Sequence, residues 1–203
     1  MNLNIVDLRL SGTAPRDTAF TAVITVDAKT PMHDLITRVL VDLRAHDSKL
    51  EVMRIMSHGN HDYMQICKEG LGAFQTFVEF SRLKGTFDEA GLIALQGCNL
   101  VHYGGPGVGM KSVLMKSLAE ACGVHLLGSS LQEMYSHNPI DFGSWEGNIH
   151  LCSPGGTWYR LGSRVRRREL NYEKFVSGIA DRLPERLLWR IWGVMFPEGR
   201  PRV

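Results

Sequence analysis

The first half of the chain contains two short apolar runs with the pattern of buried strands, one at Leu50–Met56 and one at 91–96. Apolar residues dominate both runs without strict alternation, which is typical of strands covered on both faces of a parallel sheet. The first run leads into Ser-His-Gly at 57–59, and the second leads into Gly-Cys-Asn at 97–99. Because ligands of open α/β sheets bind beyond the carboxyl ends of the strands, these two tripeptides mark the candidate functional edge.

Strand and helix patterns alternate along most of the chain. Apolar residues at helical period predict helices at 31–43, 73–83 and 110–122. Further strands are predicted at 19–26 and 124–127, a short edge strand or hairpin arm at 63–67, and a β-hairpin at 145–152 and 157–161. A strand, helix and strand of this length form a βαβ unit, which predicts that 19–26 and 50–56 pair in parallel. The sequence therefore predicts an α/β fold with a mainly parallel sheet.

The length of 203 residues and the hydrophobic content of 44% are sufficient for one domain with a sizeable core. We predict a domain at 1–162 and a basic, tryptophan-containing helical extension at 163–203. The extension carries 10 of the 23 Lys and Arg residues but only 5 of the 21 Asp and Glu residues, so its net charge is +5 and the remainder is −3. The overall net charge of +2 is too small to indicate a nucleic-acid partner.

The extension begins with an arginine-rich run at 164–168 and continues into a segment that contains Trp189, Trp192 and Phe196. One interpretation is a solvated basic start followed by a helix that packs on the domain. The alternative is a segment that docks on a regulatory protein or on an anionic membrane surface, where basic residues beside tryptophans are favoured.

The cysteines are scattered, with no Cys-x-x-Cys pair: Cys67, Cys98, Cys122 and Cys152. The N-terminal residues lack the basic and long apolar regions of a secretory signal. No run of about 18 apolar residues is long enough to span a bilayer. These features predict a reduced, cytoplasmic protein whose thiols are free.

His58 and Cys98 end their predicted strands and are 40 residues apart. The thiolate is the reactive form of cysteine, and a nearby imidazole raises its population. Gly59 has no Cβ, so its backbone N–H can approach a substrate carbonyl closely. Together with the N–H of Cys98 it could hold an oxyanion, and such donors are worth roughly 3–4 kcal/mol each. Either residue alone is more often structural, but both at the ends of parallel strands favour a cysteine nucleophile with a histidine base.

The Ser-His-Gly and Gln-Gly-Cys tripeptides, each after a strand, resemble the caspase-like cysteine peptidases of clan CD, in particular the bacterial caspase-like domains of the CHAT type. The resemblance covers roughly 19–161. It implies a three-layer fold, with a mainly parallel central sheet and helices on both faces, and a cysteine endopeptidase acting on a protein or peptide substrate without a cofactor. It further implies that Cys98 is the nucleophile, that His58 is the base and that Gly59 and Cys98 form the oxyanion hole. Gln96 would line the pocket for the residue that precedes the cleaved bond.

The chain departs from the caspases next to the nucleophile, where Asn99 replaces the usual arginine. No clear set of arginines for an aspartate pocket is present, although Arg54 on the His58 strand is a weak candidate. Asp141 and Glu146 could instead form a pocket for a basic substrate residue, or they could be ordinary surface acids.

A glycine-rich stretch at 104–109 followed by Met110, Lys111 and Ser112 suggests a different function. It echoes the phosphate-binding loop G-x-x-x-x-G-K-[ST] but has one residue too many before the lysine. A nucleotide binder is therefore one alternative function, and a catalytically silent caspase-like interaction module is the other. No metal is expected, because the following histidines lack the spacing of metal ligands: His61, His102, His125 and His137.

Overall fold

The structure is a computed structural model that describes residues 1–10, 21–72, 74–98, 100–103, 110–130, 148–163, 175, 179 and 182–195. Its strands, in chain order, are β1 (Asn2–Asp7), β2 (Thr21–Val26), β3 (Leu50–Met56), β4 (His58–Asn60), β5 (Tyr63–Gln65), β6 (Phe87–Gln96), β7 (His102–Tyr103), β8 (Met110–Lys111), β9 (His125–Ser129), β10 (Asn148–Cys152) and β11 (Trp158–Ser163). Its helices are α1 (Met32–Ala45), α2 (Phe74–Ser81), α3 (Val113–Cys122) and α4 (Glu185–Met195).

Seven of the described strands form one mixed sheet in the order β11-β10-β9-β6-β3-β1-β2. The five strands from β2 to β9 in this order are parallel, and β10 and β11 are antiparallel to their neighbours. The predicted α/β class with a mainly parallel sheet is thus confirmed. The parallel strands all end at one edge of the sheet, which is the edge where His58 and Cys98 follow β3 and β6.

The N-terminal strand β1 was not predicted, and it lies between β2 and β3. The prediction that 19–26 and 50–56 pair directly was therefore wrong, although both strands are parallel to β1. Ile5 is opposite Ile24 on one side and Ile55 on the other. Polar residues at Asn2, Asn4 and Asp7 mask this strand in the sequence, because only part of its length carries the apolar pattern.

Helices cover both faces of β6. Ile93 and Leu95 belong to a buried cluster shared with α1, α2 and α3, whereas Leu92 and Ala94 belong to a cluster shared with α4. This division follows from the alternation of side chains along a strand. Each fully buried leucine or isoleucine side chain stabilises the fold by about 1.5–3 kcal/mol. Burial on both faces explains why the sequence of this strand is nearly all apolar.

Helix α4 belongs to the predicted extension and is tied to the sheet by charge as well as by apolar contact. Arg190 donates to both oxygens of Asp88 from its terminal nitrogens Nη1 and Nη2, and this contact holds the pKa of Asp88 below its usual range. The Trp192 side chain is buried, with its ring centroid 5.5 Å from that of Phe175. The described part of the extension therefore packs on the domain, and the arginine-rich run at 164–168 lies outside the described residues.

Two local predictions bear on the candidate site. The hairpin predicted near 145–161 is confirmed, as the antiparallel pair β10 and β11. The helix predicted at 110–122 begins later, because Met110–Lys111 forms β8, paired with β7. Ser112 is the N-cap residue of α3, and its hydroxyl accepts the Met115 N–H at 3.2 Å.

None of the described helices is long and apolar enough to cross a membrane.

Candidate functional site

The strands that lead to His58 and Cys98 are parallel neighbours. In the register of β3 and β6, Met56 is opposite Gln96. The pairing continues one residue further, where the Ser57 N–H donates to the Gln96 carbonyl at 3.2 Å. His58 and Cys98 are each two residues beyond the last register pair, and neighbouring strands are about 4.8 Å apart. The two residues therefore leave the sheet side by side at the same edge.

The glycines beside these residues allow the segments that follow β3 and β6 to approach each other closely. A Cβ atom placed on Gly59 would lie 3.1 Å from the Cys98 nitrogen and 3.2 Å from the Cys98 oxygen. A Cβ atom placed on Gly97 would lie 3.3 Å from the Ser57 oxygen. The Leu100 side chain fills the space between, at 3.1 Å and 3.4 Å from the same two Cβ positions. Both positions thus require close backbone approach, which glycine permits at no steric cost.

The hairpin of β4 and β5 orients the Gly59 amide. Gly59 is opposite Met64, but the N–H and C=O of Met64 both bond to Leu71, at 2.9 Å and 2.8 Å. In an antiparallel pair a residue either exchanges both backbone bonds with its partner or makes neither. The Gly59 N–H is therefore turned away from β5. This orientation suits a donor aimed at a ligand beyond the edge of the sheet.

Accessibility separates Cys98 from the other cysteines. All four cysteines lie among the described residues, and none forms a disulfide bond. Cys98 is half-buried and His58 is exposed. Burial raises the pKa of the Cys67 and Cys122 thiols to about 12, and that of the Cys152 thiol to about 11. These three thiols stay protonated at neutral pH, so they are unsuited to nucleophilic attack.

An ion pair between buried Asp7 and half-buried Arg9, at the end of β1, fixes the chain that follows β5. Asp7 is fully buried, and Arg9 donates to its carboxylate from Nε at 2.7 Å and from Nη2 at 2.6 Å. The same guanidinium reaches the carbonyls of Gln65 at 3.0 Å and Cys67 at 2.9 Å. The Cys67 N–H completes the group by donating to Asp7 Oδ2 at 3.2 Å. The pair is satisfied on both sides, as buried charges require.

A second contact joins the same segment to α1. Glu69 Oε2 accepts the Met32 N–H at 2.9 Å, which caps the start of α1, and the Lys68 N–H donates to the Thr30 carbonyl at 2.9 Å. Sequence reasoning missed both anchors. An Asp-x-Arg spacing that begins at the last residue of a strand is the one signal that could have indicated the first of them, and it is a weak signal.

The proposed pocket residues are only partly described. Gln96 and Arg54 are both buried, and strand alternation places them on the α4 side of the sheet, with Leu92 and Ala94. Desolvation lowers the pKa of Arg54 to about 10, so its guanidinium remains charged at neutral pH. The other proposed pocket residues, Asp141 and Glu146, lie outside the described residues, as does Asn99.

The phosphate-binding alternative gains no support from the fold. Lys111 lies in β8, before the N-cap Ser112, whereas the lysine of a phosphate-binding loop directly follows the glycines at the start of its helix. The glycine-rich residues 104–109 lie outside the described part of the chain. Within the described part, no group of three His, Cys, Asp or Glu side chains could hold a metal ion.

Comparison of the chain with protein-family models, with curated proteins and with solved structures found no match in any of the three.

Proposed function

We propose that this chain is a cysteine endopeptidase with a three-layer caspase-like fold, which cleaves peptide bonds in a protein or peptide substrate. Cys98 is the nucleophile and His58 is the base. The observation that supports this proposal most strongly is the close approach of the Gly59 and Cys98 main chains at the common edge of β3 and β6, where a Cβ on Gly59 would lie 3.1 Å from the Cys98 nitrogen. A caspase-type dyad requires its two residues at that position, and neither needs a further cofactor to act.

In the proposed reaction, the Cys98 sulfur attacks the carbonyl carbon of the peptide bond while His58 takes the thiol proton. The backbone N–H groups of Gly59 and Cys98 donate to the resulting oxyanion. The intermediate collapses with cleavage of the C–N bond, and His58 returns its proton to the departing amine. Water then attacks the Cys98 thioester, His58 accepts a proton from this water, and collapse releases the acid. His58 finally returns that proton to the thiolate.

The pocket for the residue before the cleaved bond is the least defined part of the proposal. Gln96 ends β6 two residues before Cys98, on the α4 side of the sheet, which supports a pocket role beside the proposed nucleophile. Asp141 and Glu146 would favour a basic substrate residue, whereas Arg54 would favour an acidic one. The cleavage products of a peptide library distinguish these two specificities directly.

The test is digestion of a proteome-derived peptide library by the wild type and by Cys98→Ala, His58→Ala and Cys152→Ala variants. We expect cleavage by the wild type and by Cys152→Ala, because the Cys152 thiol is buried and protonated. We expect none by Cys98→Ala. Cleavage that survives in Cys98→Ala would refute the proposal. Absence of cleavage by every variant, with Cys98 reactivity that does not depend on His58, would leave the silent interaction module.

A further inference from the structure

Asp62 lies in the two-residue turn of the β4–β5 hairpin, four residues after His58. Both turn residues have positive φ, at 24° for His61 and 62° for Asp62. Positive φ at both central positions is characteristic of tight hairpin turns, and aspartate tolerates it better than most residues. The turn directs the Asp62 side chain to the start of α3.

At the start of α3, one oxygen of Asp62 accepts two hydrogen bonds. The Ser112 hydroxyl donates to Oδ1 at 2.6 Å, and the Leu114 N–H donates to the same atom at 3.3 Å. The Ser112 oxygen accepts the Met115 N–H in turn, so Asp62 completes the N-terminal cap of the helix. A carboxylate is also favoured there by the partial positive charge of the helix N-terminus.

This contact joins the two branches of chain that carry the proposed dyad. One branch leaves β3 through His58 and turns at Asp62. The other leaves β6 through Cys98, passes through buried Leu100 and Val101, and reaches Ser112 after β7 and β8. Asp62 and Ser112 are 50 residues apart in sequence. Their hydrogen bond therefore closes a bridge between the branches, away from the point where the glycines meet.

We propose that Asp62 is a positioning residue of the proposed peptidase, whose carboxylate is bonded to Ser112 at the start of α3 and thereby holds the β4–β5 hairpin with His58 facing Cys98. This inference rests on the proposed function and adds to it a residue that the caspase resemblance does not supply. Without the Asp62–Ser112 hydrogen bond, His58 would still follow β3, but the β4–β5 hairpin could move relative to the start of α3. A small displacement of a catalytic group is enough to slow a reaction by one or two orders of magnitude.

Glu69 provides a matched control. Its carboxylate also accepts a backbone N–H at a helix start, from Met32 of α1 at 2.9 Å, and it lies on the segment that follows the same hairpin. Among the described residues, its carboxylate makes no hydrogen bond to the branch that carries Cys98. Glu69→Ala should therefore lower thermal stability much as Asp62→Ala does, without changing the environment of the dyad.

The experiment measures the rate at which iodoacetamide alkylates Cys98 in the full chain, across a pH range around neutrality. The samples are the wild type and four variants: Asp62→Ala, Asp62→Asn, Glu69→Ala and His58→Ala. We expect Asp62→Ala to slow alkylation at neutral pH about tenfold and to move its pH profile toward higher pH, because the thiolate loses its imidazole partner. Asp62→Asn should retain the wild-type profile, since the amide oxygen can accept both hydrogen bonds. Circular dichroism establishes that each variant is folded.

The outcomes separate the two proposals. If His58→Ala moves the profile and Asp62→Ala leaves it unchanged, the positioning role is refuted and the proposed dyad stands. If Glu69→Ala moves the profile as far as Asp62→Ala, the effect is general loosening and the positioning role is again refuted. If His58→Ala leaves the profile unchanged, the proposed function fails and this inference fails with it.

Discussion

The carboxyl edge of the sheet and the face covered by α4 are held together by different kinds of contact. At the edge, the main chain at Gly59 approaches that of Cys98 too closely to leave room for a Cβ atom, and polar side chains such as Arg9 bond to main-chain carbonyls. On the α4 face, the buried side chains of Ile191 and Trp192 provide the contact. The geometry of the edge therefore depends on the positions of main-chain atoms, whereas the stability of the α4 face depends on the apolar area that is buried there. Substitutions should affect chemistry at the first region and stability at the second.

The largest expected effect is loss of activity without loss of stability. His58→Ala should lower kcat by roughly 10²–10⁴-fold, because it removes the proposed general base. The melting temperature should be unchanged, since the side chain is exposed. Peptide cleavage and thermal unfolding of the same preparation check both halves of this prediction. A large drop in melting temperature would show that His58 has a structural role instead.

The α4 face should show the reverse behaviour. Trp192→Ala should lower the free energy of unfolding by about 3–5 kcal/mol, because it removes a large buried ring that packs near Phe175. The kcat of the molecules that remain folded should be unchanged. Urea denaturation gives the free energy, and active-site titration normalises the rate. A kcat that falls in parallel with stability would mean that the two regions are coupled.

Two glycine substitutions sharpen the comparison further. Gly59→Ala should destabilise the chain by about 1–3 kcal/mol and reduce cleavage, because its Cβ would press on the Cys98 backbone at 3.1 Å. Gly193→Ala in α4 should stabilise it by about 0.5–1 kcal/mol, since within the described part of the chain no atom outside its own helix backbone and chain neighbours lies within 4 Å of the added Cβ, and alanine favours helix. Denaturation curves of the two variants test the opposite signs. Equal effects of the same sign would contradict the contrast.

The smallest expected effect is a pH dependence on the α4 face. Arg190 lowers the pKa of Asp88 in the folded chain, so the folded state holds the carboxylate charged at a pH where the unfolded chain is protonated. The resulting stability is present above about pH 4 and is lost as the pH falls further. Asp88→Asn should remove this dependence, with a change of about 1 kcal/mol, because the asparagine oxygen still accepts a hydrogen bond from Arg190. Thermal melts of both proteins below pH 4 provide the measurement, and parallel curves would contradict the prediction.

The elements that could be predicted are those whose apolar residues follow a regular pattern along the sequence. Strands β3 and β6 and helix α1 bury continuous or helically spaced apolar residues, and such burial leaves a local record in the sequence. Strand β1 was missed because it is short and because buried polar residues, Asn4 and Asp7, interrupt its apolar run. Its place in the sheet comes from pairing with β2 and β3, which no local pattern encodes.

The candidate site was predictable only at its centre. Ser-His-Gly and Gln-Gly-Cys stand out because each follows a strand and contains a residue with its own chemistry. The anchors around them, Asp7, Glu69 and Asp62, are ordinary acidic residues in the sequence. Each acquires its role from a partner brought close by the fold; the Cys67 N–H, for example, lies 60 positions from Asp7. Contacts of this kind leave no periodic signal.

The sequence by itself determined the class of the fold, the strands β3 and β6, and the two tripeptides that follow them, because apolar burial and glycine beside a reactive residue are local properties. Only the tertiary structure decided that β1 separates β2 from β3, that α4 covers the second face, and that Asp62 meets the start of α3. These features arise from hydrogen bonds and packing between distant segments, and such contacts exist only once the sheet has brought those segments together.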